Sequence, residues 1–448
     1  MQNINRDLVD IINNEAKGYA LYTVENRAIP NMMDGFKPVQ RFMIYRALEM
    51  SKGNHAKFHK LASVAGGVAD AGYHHGEVSA QEAGALMANT WNNNLPFLDG
   101  QGNFGSRLVQ EAAASRYVFC RISENFRKVY KDIEIAPKHP DEEHLPPRFY
   151  LPVVPTVLLN GVKGIATGYA TNILPHSFAS VLECTRLALE GKLDKEPLVS
   201  FPQFKGDVIK LDEPGKYELH GKYTFTSRTQ MHITEIPYSF DRAKYVEKVL
   251  DDLEDKGLIT YEDDCSKAGF GFKIKFRKDY RFPEDEAAKH AKIMSDFKLI
   301  EKVSQNIVVI DDKGRLNDKF ENASELINAF VKARLTYVDK RIDYMKVKSE
   351  HTFKLALAKA LFIKEVNSGN IVIKGKTKAA LKDELSTYQP FVGFEDQLVS
   401  MNIYHMTDDE IENLKARAHE AKKDLEYWQT TTAQTEYKLD LDALERLV

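Results

Sequence analysis

The sequence predicts a multidomain α+β protein: a front domain of short helices with a helix-turn-helix, a mixed α/β middle, and a long antiparallel coiled-coil arm. Three observations predict it. The 448 residues are too many for one compact core. The texture changes near residues 150 and 320, from short helices broken by Gly, Asn and Pro, to alternating strand-like segments, to long helices. Two apolar stripes with spacings of four and three recur far apart in the last third, as two strands of a coiled coil require. The expected domains are 1–150, 151–320 and 321–448.

In the front domain, "HKLASVAGGVADAGYHHGEVSAQEAGALMANTW" reads as two helices, roughly 60–70 and 77–90, parted by Gly72 and a histidine pair. A helix-turn-helix would present the second helix to a groove, although any α-rich core holds such pairs. In the middle, "GKYTFTSRTQMHITEIP" alternates as a half-buried strand does. "AKYVEKVLDDLEDKGL" then has helical spacing with a stop at Gly257, and "GFGFKIKFRK" and "QNIVVIDDKGRL" read as further strands.

At the start of the arm, Asn322 and Glu325 have capping-box spacing, and no Pro or Gly follows until Gly369. Val331, Leu335, Val338, Ile342 and Met345 form one stripe; Leu414, Ala418, Ala421, Leu425 and Trp428 form the other, after a start at Thr407–Glu410. A helix of that length, ~65 Å, exceeds what a compact domain needs and should project as an arm. Residues 367–406, including "PFVGFEDQLVSM", should close its tip.

Composition is that of an ordinary soluble protein, 43% hydrophobic and 28% charged. No apolar run reaches the ~20 residues of a membrane span, and the amino terminus lacks an apolar signal core. Cys120, Cys184 and Cys265 are odd in number and far apart, which points to a reducing cytoplasm rather than a disulfide framework. Net charge is −3, but residues 27–60 hold seven bases, Arg27 to Lys60, against Asp34 and Glu49. Residues 401–448 hold eleven acids against six bases. A basic front that meets phosphates fits this pattern, and so does a plain solvated face.

The stretch "EAAASRYVFCRIS" sets Tyr117 beside Arg116 after a run of small residues. A free phenol is a poor nucleophile, with about one in a thousand ionised at neutral pH. A phosphodiester repels an attacking anion. Cationic donors lower both obstacles; Arg116, His75, Arg27 and Arg41 are the candidates. Attack on DNA by tyrosine would store the broken bond as a phosphotyrosine ester, so rejoining needs no outside energy. An aromatic side chain packed on a small-residue face is the bland alternative. The four acid clusters, Asp251–Asp252, Glu262–Asp264, Asp311–Asp312 and Asp408–Glu410, read as surface or caps, so no metal ligands are expected on this chain. Gly161, Gly164 and Gly168 lack the Lys-Ser/Thr of a phosphate loop.

Five motifs run in order: "NRAIPNMMDGFKPVQR", "AGYHHGE", "DGQGNFGS", "AAASRY" and "LLNGVKGIATGYATNILPH". Together they resemble the breakage-reunion subunits of type IIA DNA topoisomerases, the gyrase A-like family. "TEIPY", "VKARLTYVDKR" and "MNIYHMTDDEI" resemble later landmarks, so the likeness runs through the chain. It implies a winged-helix DNA-gate domain, a tower domain, and a coiled-coil arm with a C-gate dimer tip.

The same resemblance implies that Tyr117 takes a 5′-phosphate of DNA, with Arg116 as electrostatic helper and His75 as donor to the reacting phosphate. Arg27, Lys37 and Arg41 become DNA contacts, with Lys60 beside them, and Ile165 becomes the apolar wedge between base steps. The plainer readings are a helix cap for His75 and a core position for Ile165. The resemblance also implies a homodimer meeting at the DNA gate and C-gate. A Toprim/ATPase, gyrase B-like partner subunit would bring both Mg²⁺ and ATP, in the cytoplasm of a host bacterium if phage-encoded, with no membrane. "YHHGE" lacks the proline of the bacterial "HPHGD", and several motifs look eukaryote-like. The chain ends at Val448 without a DNA-wrapping domain, which points to relaxation and decatenation. A tyrosine recombinase and a non-catalytic dimeric DNA-binding scaffold are the alternatives; a recombinase tyrosine lies near the carboxy terminus, after HxxR.

Overall fold

The computed structural model describes residues 7–402, 404 and 406–447. Ile403 and His405, at the expected tip, and residues 1–6 of the amino-terminal reading lie outside the described residues. The chain forms two compact units. One runs to Arg334 and resumes at Asp440; the other is Leu335–Leu439.

The first unit begins with a helical run ending in Val24–Ala28, then the helix Pro38–Ser51. Between them lies a sharp turn built on Asp34 and Gly35. Gly35 has φ +69°, and a Cβ there would sit 2.6 Å from the Val157 nitrogen, so only glycine fits. Pro38 opens the helix at its first turn, where a missing N–H costs nothing.

Helices Leu61–Gly66 and Glu77–Ala88 follow. The first is shorter than the expected 60–70: it ends at Gly66 with Gly67 as its C-cap, where a Cβ would strike the Arg46 guanidinium. Beside them lies a three-stranded antiparallel sheet, ordered His59–Lys60, Phe119–Ile122, Leu98–Gln101. Leu61, Val64, Ala80, Leu98, Val118, Cys120 and Ile122 are buried between helices and sheet. Each large apolar side chain buried here contributes roughly 2 kcal/mol.

The break expected near residue 150 falls inside this unit. Tyr130–Lys131 pairs with Leu151–Pro152, and the Tyr150 N–H donates to Asp34 Oδ2 at 3.0 Å. Farther along, a four-stranded sheet packs helices on one face. Phe272, Ile274 and Phe276 point into that core while Lys273 and Lys275 point out, the period-two pattern of a strand. The stretch "GKYTFTSRTQMHITEIP" is two strands, Lys222–Ser227 and Gln230–Glu235, folded as a hairpin. One strand of that length would exceed the usual ~6 residues. The helical segment after it ends at Gly257 as expected, with φ +71°.

The second unit holds most of the helix Ala323–Asn367, whose 45 residues span about 67 Å at 1.5 Å each. Residues 371–398 fold back as a cap: Ile371, Leu381, Leu385, Phe391 and Leu398 bury against Ala358 and Phe362. Thr407 then caps the helix Asp408–Thr430. On that helix Leu414, Ala418 and Ala421 are buried, and Leu414 packs with Ala360 and Ile363. At the corner before Ala433–Leu444, the buried Glu436 carboxylate accepts from the Tyr427 and Thr431 hydroxyls.

Candidate functional site

Tyr117 lies on a turn held by the start of one helix and by a side chain of the next. The Ala62 N–H donates to the Ser115 carbonyl at 3.2 Å, and the Leu61 N–H to the Val118 carbonyl at 3.0 Å. The open amides at the start of Leu61–Gly66 thus grip the turn. The Ser115 hydroxyl donates to Gln81 Oε1 at 2.7 Å, and Gln81 is itself tied to Glu77 on the next helix. Val118 is buried, yet Tyr117 beside it is 66% exposed. The Arg116 guanidinium carbon lies over the phenol ring, 4.7 Å from its centroid. An aromatic packed on a small-residue face would be buried, and this one is not. Lys60 is exposed and pairs with Phe119 across the sheet, two residues past Tyr117.

His75 occupies a different cluster. Its Nε2 is 2.6 Å from the Tyr22 hydroxyl, and its ring meets Tyr73 edge-on at 5.1 Å. Burial, then the charges of Arg27 and His74, holds its pKa below the usual imidazole range. Arg27 is exposed. Gly76 is the N-cap of Glu77–Ala88 with no side-chain cap bond, so His75 does not cap that helix. Among the described residues, no hydrogen bond or ring contact joins His75 to Tyr117.

Arg41, expected as a DNA contact, is engaged within its own chain. It is buried, with Nε 2.6 Å and Nη2 2.9 Å from the two oxygens of Asp34, and Nη2 also donates to the Phe36 carbonyl. Nε and Nη2 are committed to a bidentate buried pair whose rupture is strongly unfavourable. Arg41 therefore holds the motif together. Asp34 is the hub: its carboxylate also accepts from the Phe36 and Tyr150 amides, and its carbonyl from Tyr130 and Thr156. The sequence reading missed this role. Its signal was a lone aspartate at the centre of a basic stretch.

Ile165 ends the strand Val162–Ile165, which pairs with Ala170–Ile173. It is 89% exposed, so the core reading fails. The hairpin is closed by the Ala166 N–H donating to Tyr169, with Gly168 at φ +82°. Its root is held in two places. Lys37 Nζ donates to the Lys163 carbonyl at 2.5 Å, and at Gly164 a Cβ would sit 2.1 Å from the Ala28 carbonyl. Lys37 is half-buried there, and burial lowers its pKa.

The acid clusters are spent on local partners. Asp252 pairs with Lys256, Asp263 with Arg242, Asp264 with Lys273, and Asp311 with Arg315; Asp408 opens a helix. Among the described residues, no group of three or more His, Cys, Asp or Glu side chains is placed to hold a metal ion. No helix among them is long and apolar enough to cross a membrane.

A family model that describes the A subunit of DNA gyrase/topoisomerase IV matches residues 27–443. The chain belongs to that family. It is similar to the DNA topoisomerase medium subunit of Enterobacteria phage T4, at 61% identity over 99% of this chain and 100% of that one. DNA topoisomerase 2 of Plasmodium falciparum is 26% identical over 98% of this chain, which spans only 34% of that longer protein. Among solved structures, the Plasmodium falciparum topoisomerase II DNA-binding, cleavage and re-ligation domain superposes with a TM-score of 0.86 at 27% identity. That match covers 98% of this chain and 64% of the other.

Proposed function

We propose that Tyr117 is the nucleophile with which this chain, a breakage-reunion subunit of a type II DNA topoisomerase, opens one duplex so that a second can pass. The observation that carries this is an exposed phenol with a guanidinium on its face, on a turn fixed by the first amides of the helix Leu61–Gly66. The tyrosine oxygen loses its proton to solvent and attacks phosphorus. The bond to the 3′ oxygen breaks, and that oxygen leaves as a hydroxyl. The 5′ end stays on protein as a phosphotyrosine ester, and the reverse attack restores DNA. Arg116 offsets charge developing on the phosphoryl oxygens.

Arg27, Lys60 and Lys37 contact backbone phosphates in this reading, His75 donates to the reacting phosphate, and Ile165 wedges between base steps to bend the duplex. The three helices and three-stranded sheet serve as a winged-helix DNA gate within 1–150, 151–320 as the tower, and 321–448 as the coiled-coil arm with a C-gate. Cutting both strands takes two tyrosines, hence a two-fold homodimer. A Toprim/ATPase subunit supplies ATP hydrolysis and Mg²⁺, an ion that would neutralise leaving and non-bridging oxygens. The work is done in the cytoplasm.

Comparing wild type with Tyr117→Phe in the reconstituted enzyme tests the assignment. With partner subunit, DNA and Mg²⁺, detergent should trap a covalent protein–DNA adduct from wild type and none from the variant. A variant that binds DNA and still yields adduct would leave the chain as a scaffold whose tyrosine is inert.

A further inference from the structure

The "TEIPY" landmark has no part in the chemistry above, and the structure supplies a use for it. Glu235, Ile236 and Tyr238 of that motif all converge on Arg107, the arginine that follows "QGNFGS" at the start of the approach to Tyr117. Arg107 Nη2 is 3.3 Å from Glu235 Oε1 and donates to the Ile236 carbonyl at 3.2 Å. Its guanidinium carbon lies 4.5 Å from the ring centroid of Tyr238, 5.3 Å from that of Phe270 and 5.6 Å from that of Phe204. The side chain is 7% exposed. Glu235 is equally committed, because its carboxylate also accepts from the Lys205 and Ile236 amides.

The surrounding loop carries this anchor towards the nucleophile. The Leu108 carbonyl accepts from Arg242, the first residue of a helix in the middle region. The Ser106 and Ala113 amides close the loop on Val109 and Asn103. Trp91 Nε1 donates to the Phe104 carbonyl, and the Tyr238 hydroxyl donates to the Trp91 carbonyl. Residues 103–113 are thereby tied to the middle sheet at one end, and Ser115 to the helix pair at the other. Among the described residues only Nη2 of Arg107 finds an acceptor, while the planar guanidinium lies against three rings, a stacked arrangement that an ammonium does not reproduce.

We infer that Arg107 is a positioning residue for the cleavage reaction: its aromatic clamp on the TEIPY segment fixes the loop that delivers Tyr117 to the phosphodiester. This rests on the reading of Tyr117 as nucleophile. Displacing a reacting group by about 1 Å costs up to about 100-fold in rate, so the clamp should show itself in rate rather than in DNA affinity.

The test uses the full chain reconstituted with its partner subunit and compares Arg107→Lys, Arg107→Ala and Glu235→Gln with wild type. Thermal melting first selects variants that remain folded at the assay temperature. For those, DNA affinity should stay within about twofold of wild type, while the single-turnover rate of adduct formation falls about 10- to 100-fold. Arg107→Lys should restore little of the loss relative to Arg107→Ala, because the flat cation stacked among the rings, and not the charge alone, is needed. Unchanged adduct rates in folded variants would overturn the proposal. So would losses of rate and affinity in parallel, or full recovery by lysine. Tyr117→Phe run alongside separates the two ideas: adduct from that variant removes the nucleophile assignment, whereas its loss with intact Arg107 variants removes only the clamp.

Discussion

The Arg116 guanidinium lies on the face of the Tyr117 ring, 4.7 Å from its centroid, while two-thirds of the tyrosine remains open to solvent. Neighbours in sequence, the two present one surface: an aromatic platform, a fixed positive charge and a free hydroxyl. The turn beneath them is held by backbone amides, so its shape does not depend on either side chain.

Removing the charge should therefore slow chemistry without unfolding the turn. Arg116→Ala is expected to lower the rate of covalent cleavage about 100-fold, the usual loss when one donor to a developing charge is deleted. Its melting temperature should match wild type, since exposed positions typically change stability by about 0.5 kcal/mol or less. Single-turnover trapping and a melting curve check both halves.

Arg41 should behave in the opposite way. Arg41→Ala leaves Asp34 buried without its cation, at a cost of about 3–5 kcal/mol. The loss appears as a lower denaturation midpoint, measured on the isolated chain in urea. A variant as stable as wild type but weak in DNA binding would return Arg41 to the phosphate contacts.

Ile165 is exposed on a hairpin anchored at its root. Ile165→Ala should leave stability within about 0.5 kcal/mol and reduce DNA bending. End-to-end fluorescence transfer across a labelled duplex reports the bend, and the contrary result is an unchanged bend.

A pH signature comes from His176, the histidine of "NILPH". It is buried, and burial lowers its pKa to about 4, opposed by its bond with the Leu158 carbonyl. The unfolded chain takes up a proton near pH 6.5 that the folded chain refuses, so the unfolded state binds more protons in between. The contribution is fully present above pH 6.5 and is lost as pH falls through about 4, amounting to roughly 3 kcal/mol. His176→Gln should flatten the fall of stability between pH 6.5 and 5, where few carboxylates titrate.

Order and kind of element were legible because burial imposes period. Leu414, Ala418 and Ala421 are buried as their four-and-three spacing requires, and Phe272, Ile274 and Phe276 as alternation requires. Ranges were less legible where tertiary contacts decide. The helix after Lys60 ends at Gly66 with Gly67 as its cap, where the Arg46 side chain leaves no room for a Cβ; the glycine pair is visible in sequence, but that long-range contact is not. Within the candidate site, Tyr117 and Ile165 were legible as motif positions, and the structure leaves both exposed. Arg41 in a basic window reads as a phosphate contact, and its pairing with Asp34, only seven residues back, is set by the intervening turn rather than by any period. The hub at Asp34 draws on Tyr130, Tyr150 and Thr156, more than ninety residues away, and pairings of that span leave no periodic trace.

The most direct measurement is the site of covalent attachment. The reconstituted enzyme is trapped on DNA with detergent, nuclease-trimmed and digested, and the nucleotide-bearing peptide is identified by mass spectrometry. The prediction is a single modified peptide carrying a 5′-linked nucleotide on the Tyr117 oxygen. Attachment at any other side chain, or through a 3′ end, would contradict it.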